Sequence, residues 1–148
     1  MIFDNYKDFP RVGRIVGLDW GLHRCGVAVS DENRDFVFVR PQINIDNQNS
    51  LIDAVCSLLA AENAVGIVIG LPLYPDGTDS ETTRLVRDFA NLLATRIDLP
   101  IIFIEENLTS VIAQQEMGRV SVAKIKRELD SRSAKMILEN AISLLKRA

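Results

Sequence analysis

RIVGLDWGLHRCGVAVSDENRDFVFV, residues 14–39, sets the fold. Arg14–Asp19 is a short apolar run broken only by Gly17, the pattern of a buried strand. Arg24–Ser30 is a second such run, and Asp31, Glu32 and Asn33 supply a turn after it. Phe36–Val39 reads as a third strand. Connections this short make the three strands antiparallel neighbours. Downstream the pattern changes to alternation of helix and strand. Ser50–Glu62 carries a helical stripe at Leu51, Ala54, Val55, Leu58 and Leu59. Val65–Leu71 is a fully apolar strand stopped at Pro72, and Pro100–Ile104 is another. Between them the spacing predicts a helix over Thr78–Thr95, with Thr78 and Glu81 as its capping box. A further helix is expected over Thr109–Met117, closed by Gly118. Arg119–Arg127 reads as a basic mobile segment, and Glu128–Lys146 as a last helix burying Ala134, Ile137, Leu138, Ala141 and Leu145.

Strands separated by helices imply parallel pairing with right-handed crossovers. The expected fold is therefore α/β: a mixed five-stranded sheet, three antiparallel strands followed by parallel ones, with helices on both faces. Residues 1–13 read as a polar lead-in, and 14–148 as a single domain.

Composition narrows the classes. The 148 residues are 47% hydrophobic and 25% charged, a globular balance. No apolar run reaches the length of a bilayer crossing. The lead-in, with Asp4, Lys7, Asp8 and Arg11, has no apolar core of a secretory signal. One His and two separated cysteines, Cys25 and Cys56, offer no usual zinc site. Reduced thiols and a cytoplasmic location are the expectation. Cys25 lies near His23, but inside an apolar strand it reads as a small buried hydrophobe rather than a nucleophile. The net charge of −3 argues mildly against nucleic acid. It is unevenly spread. Residues 1–110 hold nine Lys and Arg against sixteen Asp and Glu, whereas 111–148 hold eight against four. The basic last third offers phosphate contacts; an ordinary solvated helix face explains it equally well.

Ligands of open α/β sheets gather at the carboxyl ends of the strands. Asp19 ends the first strand there, Glu105 and Glu106 end the fifth, and Asp130 opens the last helix. Each has a simpler explanation: a turn Asp for the first, and carboxylates favouring a helix N-terminus for the others. Adjacent Glu105 and Glu106 point to opposite faces while the strand continues, so one of them shares a face with Asp19. Taken together, three carboxylates from separate elements suit hard cations and a two-metal phosphodiester site. The loop Gly70–Thr78 (GLPLYPDGT) joins strand to helix with a tight Asp76-Gly77 turn; it matches neither a P-loop nor a dinucleotide fingerprint.

Four stretches, GLDWGLHRCGVAVSD (17–31), IVIGLPLYPDGT (67–78), EENLTS (105–110) and LDSRSAKMIL (129–138), resemble the signature blocks of the YqgF/RuvX family, in the same order. That family comprises Holliday-junction-resolvase-like proteins now usually described as pre-16S rRNA nucleases. The resemblance implies an RNase H-like fold and a metal-dependent nuclease, with Asp19, Glu106 and Asp130 as catalytic, metal-binding carboxylates and Mg²⁺ or Mn²⁺ as cofactor. It implies substrate contacts from Arg24, Thr109 and the loop with Asp76 and Gly77; the basic residues Lys124, Lys126 and Arg127 join them as expected phosphate contacts. The implied partner is structured RNA, the pre-16S rRNA or pre-ribosome, with branched DNA as the alternative and no membrane; the chain would act as a monomer or homodimer. Two departures stand out. The family's DERLTT block is EENLTS here, which puts Asn107 where an Arg is common, and Lys135 and Arg132 stand where apolar or small residues are usual. A four-way-junction resolvase, a non-catalytic ribosome-binding protein and a nucleotide-binding phosphotransferase remain competing readings, the last weakened by a length that leaves no second domain to close over a nucleotide.

Overall fold

The computed structural model describes residues 1–107 and 122–147, with side chains through residue 106 and from residue 133. The elements run β1 (Ile15–Trp20), β2 (Arg24–Ser30), β3 (Val37–Asn44), α1 (Gln48–Ala61), β4 (Gly66–Leu73), α2 (Glu81–Arg96), β5 (Ile101–Asn107) and α3 (Val122–Arg147), after a short 3-10 turn at Tyr6–Asp8. The sheet order is β3-β2-β1-β4-β5. β1 pairs antiparallel with β2, and β2 with β3. β1 pairs parallel with β4, and β4 with β5. The expected mixed sheet is the one observed.

Alternation along each strand assigns side chains to two cores. Val16, Leu18, Val27, Val29, Ile67 and Ile69 pack with α1 and α2 on one face. Ile15, Ala28, Val68, Ile102 and Ile104 pack with Ala134, Ile137, Leu138 and Ala141 of α3 on the other. α3 lies very close to the sheet because glycines make room. A Cβ at Gly17 would stand 2.9 Å from Leu138 Cβ, and one at Gly70 would stand 2.5 Å from Ile137 Cδ1. The lead-in is part of this body. Ile2 bridges to Ile101 at the β5 edge, and Phe9, 2% exposed, fills the space over Gly66.

Several boundaries differ from the sequence reading: β4, expected to stop at Pro72, runs through it to Leu73, where it pairs with β5, and three further differences follow. α2 begins at Glu81, not Thr78, because Ser80 and Thr83 form the capping box: Thr83 N–H donates to Ser80 Oγ at 3.1 Å and Ser80 N–H to Thr83 Oγ1 at 2.9 Å. Thr78 is still in the preceding turn, donating to Asp76 through both its N–H and its hydroxyl. β3 runs on to Asn44 rather than ending at Val39. Its ladder shifts between Cys25 and Val27, so that Pro41 and Gln42 together oppose Gly26, which absorbs the proline. α3 begins at Val122 rather than Glu128, so Lys124, Lys126 and Arg127 lie on a helix and not in a loop. The helix expected over 109–117 falls outside the described residues.

Candidate active site

Asp19 sits one residue from the end of β1, on the same face as Ile15 and Gly17, the face that α3 covers. Its ladder partner in β2 is Gly26. The parallel register Leu18↔Ile69 places Gly70 level with it on β4. The half-buried Asp19 carboxylate is thus flanked by positions that carry no side chain.

Glu106 pairs with Pro72 and shares its face with Ile102 and Ile104, again the α3 side. Its Cα lies two strand spacings from β1, roughly 10 Å. Its carboxylate reaches back: Oε2 is 3.1 Å from the point a Cβ on Gly70 would occupy. The missing side chain at Gly70 therefore lets Ile137 Cδ1 and the Glu106 carboxylate close in over β4, between the strands that carry the two acids. Burial pushes Glu106 up to about 7, and among the described residues no cation or hydrogen bond offsets that burial. Glu105, exposed, faces the other way, where its charge adds to the burial that raises the Tyr6 phenol. The ambiguity between the two glutamates is resolved in favour of Glu106.

Asp130 lies on α3, four residues before Ala134, whose carbonyl oxygen is 3.1 Å from the Cβ position of Gly17. Four helical residues rise about 6 Å, and two strand residues about 6.6 Å. α3 runs antiparallel to β1, from Ala134 over Gly17 toward Leu145, beside Tyr6. The backbone thus carries position 130 to the level of Asp19. Among the described residues no group of three His, Cys, Asp or Glu side chains is gathered.

The other sequence candidates fall in different places. Arg24 is half-buried at the mouth of the β1–β2 hairpin, where its carbonyl accepts Gly21 N–H at 2.9 Å. Alternation puts it on the Asp19 face. Asp76 accepts from Thr78 N–H at 3.0 Å and from Thr78 Oγ1 at 2.6 Å, which holds it below the usual carboxylate range. Its carboxylate is committed to its own turn, with Gly77 in the left-handed region at φ 83°. The turn closes through Tyr74 N–H to Thr78 C=O and is tied to β4 by the Thr83 hydroxyl donating to the Pro72 carbonyl. Thr109 and the side chains of Lys124, Lys126 and Arg127 lie outside the described residues. Lys135 pairs with Glu139 at 3.7 Å. Cys25 is buried and its thiol is pushed far up by burial and by the Asp19 charge, so it is no thiolate nucleophile. Sequence reasoning missed Gly17 and Gly70 as the positions that let α3 close on the sheet; their signal was glycine inside apolar strands.

A mixed sheet of order β3-β2-β1-β4-β5, with acids at the carboxyl ends of its central and edge parallel strands, defines the RNase H-like class. The RuvC of T. thermophilus in complex with a Holliday junction substrate shares this fold, with a TM-score of 0.57 at 12% identity over 90% of this chain and 95% of that one. A family model described as "RuvX: Holliday junction resolvase" matches residues 13–144. The chain belongs to the RuvX family. Among its relatives, a "Putative pre-16S rRNA nuclease" of Maridesulfovibrio salexigens is 38% identical over 128 residues, 85% of this chain and 95% of that protein. One of the same description from Sphingopyxis alaskensis is 35% identical over 140 residues, 93% and 91% of the two chains.

Proposed function

We propose that this protein is a nuclease that hydrolyses phosphodiester bonds of structured RNA and trims the 5′ end of the pre-16S rRNA in the cytoplasm. The observation that carries this reading is the convergence of Asp19 and Glu106 on one face, across the side-chain-free Gly70. The relatives described as pre-16S rRNA nucleases give the substrate class. Among the described residues no helix is long and apolar enough to cross a membrane.

The donor set fits a divalent cation. A carboxylate pushed up to about 7 by uncompensated burial is stabilised by a positive charge beside it. Hard Mg²⁺ or Mn²⁺ takes such oxygen donors. Asp19, Glu106 and Asp130 are the residues that would hold it, in a two-metal arrangement. Bound there, the ions would supply an activated water and neutralise charge on the leaving oxygen. Arg24 lies on the Asp19 face to meet a phosphate oxygen, and Thr109 and the Asp76-Gly77 loop would add further substrate contacts. Lys124, Lys126 and Arg127, on the first turns of α3, would grip the backbone further along.

The test is cleavage of a labelled pre-16S rRNA 5′ segment beside a four-way DNA junction, with Mg²⁺, Mn²⁺ or EDTA. RNA cutting that needs the metal and disappears in Asp19→Asn, with the fold intact by circular dichroism, is expected. Full activity in Asp19→Asn would overturn the assignment. Cutting of the junction alone would select the resolvase reading, which the family description favours. Binding of RNA without any cutting would select a non-catalytic ribosome-associated role.

A further inference from the structure

Arg34 sits in the turn between β2 and β3, at the end of the α3 face away from the carboxylates. It is 5% exposed and adopts the left-handed region at φ 60°, unfavourable for a residue with a Cβ. Its Nε–H donates to the Gly13 carbonyl at 2.9 Å, and its guanidinium stands 5.9 Å from the centre of the Phe9 ring. Its Nη2 is buried without a hydrogen-bond partner. Among the described residues no carboxylate forms an ion pair with it. Burial accordingly lowers its pKa. A buried cation without a counter-ion is unfavourable unless a negative charge comes beside it.

Beside Arg34 is a cavity of about 150 Å³, which Arg11, Lys146, Asn33 and Tyr6 also line, over an apolar floor from α3. Among the described residues, Arg11, Arg34 and Lys146 border it and no Asp or Glu side chain does. At about 30 Å³ per liquid water, it has room for a tetrahedral oxyanion. The adjoining cavity of about 480 Å³ differs: Asp35 and Glu139 border it beside Arg34, Lys135 and Lys146, and Lys135 is already paired with Glu139.

We propose that the Arg34 cavity is an anion site that takes a single phosphate group, with Arg34, Arg11, Asn33 and Lys146 lining it. α3 links this cavity to the carboxylate edge. From Asp130 to Lys146 the helix rises about 24 Å, so a strand lying along it reaches both places. That the phosphate belongs to an RNA backbone rests on the nuclease reading; the anion site itself does not.

The test is a ¹H–¹⁵N NMR titration of the full chain with inorganic phosphate, ionic strength held constant with chloride and EDTA present. Saturable shifts at the amides of Asn33, Arg34 and Lys146, in the millimolar range, are expected. Lys146→Gln should weaken phosphate roughly fivefold to tenfold through loss of one charge-assisted contact. Arg34→Gln should abolish binding; because Arg34 also ties down Gly13, Lys146→Gln and Arg11→Gln keep the proposal testable if that variant unfolds. Shifts that fail to saturate, or that chloride reproduces, would overturn it. Adding a single-stranded oligouridylate separates the sources. Displacement of phosphate, with an RNA salt slope lower by about 0.7 in Lys146→Gln, assigns the site to the backbone. Phosphate that stays bound beside RNA assigns it to the free anion. Loss of the nuclease reading would show in the cleavage assay and leave the phosphate titration unchanged.

Discussion

Glu106 is asked to be an anion where its surroundings favour the neutral acid. Its folded value of about 7 lies above the ordinary 4.5. Below pH 4.5 both folded and unfolded chains hold the proton and the site costs nothing. Between 4.5 and 7 the unfolded chain releases a proton that the folded one keeps, so stability falls as pH rises, and above 7 the whole cost is present. At ~1.36 kcal/mol per unit the cost is a little over 3 kcal/mol, to order of magnitude. Glu106→Gln should therefore raise the melting temperature of the metal-free protein at pH 8, leave it unchanged near pH 4, and abolish cleavage. Equal melting curves at pH 8 would show that Glu106 carries no such cost. Metal affinity should climb as pH rises through 7, since the donor must lose its proton. Gly70 is the second test at this scale. A Cβ there meets Ile137 Cδ1 at 2.5 Å and Glu106 Oε2 at 3.1 Å. Gly70→Ala should cost about 1–3 kcal/mol from overpacking and lower kcat by displacing the carboxylate. A variant with wild-type melting and wild-type rate would show that the close approach of Ile137 and Glu106 over Gly70 is not needed.

At the level of single elements, polar capping residues set where a helix begins. For α2 the sequence reading places the start at Thr78 with Glu81, whereas the structure caps the helix with Ser80 and Thr83. The Asp76-Gly77 turn takes Thr78 for itself, and only Ser80 is left to cap. Ser80→Ala should lower stability by about 1 kcal/mol, read as a shift in denaturant midpoint at constant m. Thr78→Ala should cost less, because its partners are exposed and local. The reverse order would restore the Thr78 cap. Strand phase was harder to read for a related reason. Residues 100–104 are apolar on both faces because β5 is covered on both, so they carry no alternation from which to choose between Glu105 and Glu106. The choice came from the register with β4. β3 was read short because its second half, Arg40 to Asn44, lies at a sheet edge and is polar like a loop.

Across the whole molecule, the order of elements was legible because each crossover is announced by a change of hydrophobic period, from two or none to 3.6. Asp19 was legible as an acid at the carboxyl end of an apolar strand; the role of Arg34 was not, because a turn Arg gives no sign in sequence that the fold will bury it. Charge is distributed on the same scale. The first 110 residues are net acidic and include Asp19 and Glu106, while the last 38 are net basic and include all of α3. Such a division draws cations to the carboxylates and phosphates to the helix. Neutralising Lys124, Lys126 and Arg127 together should weaken RNA binding whatever the sequence. For three phosphates on single-stranded RNA, the slope of log K against log salt should flatten by about 2. The same triple variant should keep its Mg²⁺ or Mn²⁺ affinity, measured by calorimetry, because a metal held by Asp19, Glu106 and Asp130 needs none of the three cations. An unchanged salt slope would remove the start of α3 from the RNA path, and a lost metal affinity would mean that the substitutions disturb the helix carrying Asp130 rather than its grip on phosphate.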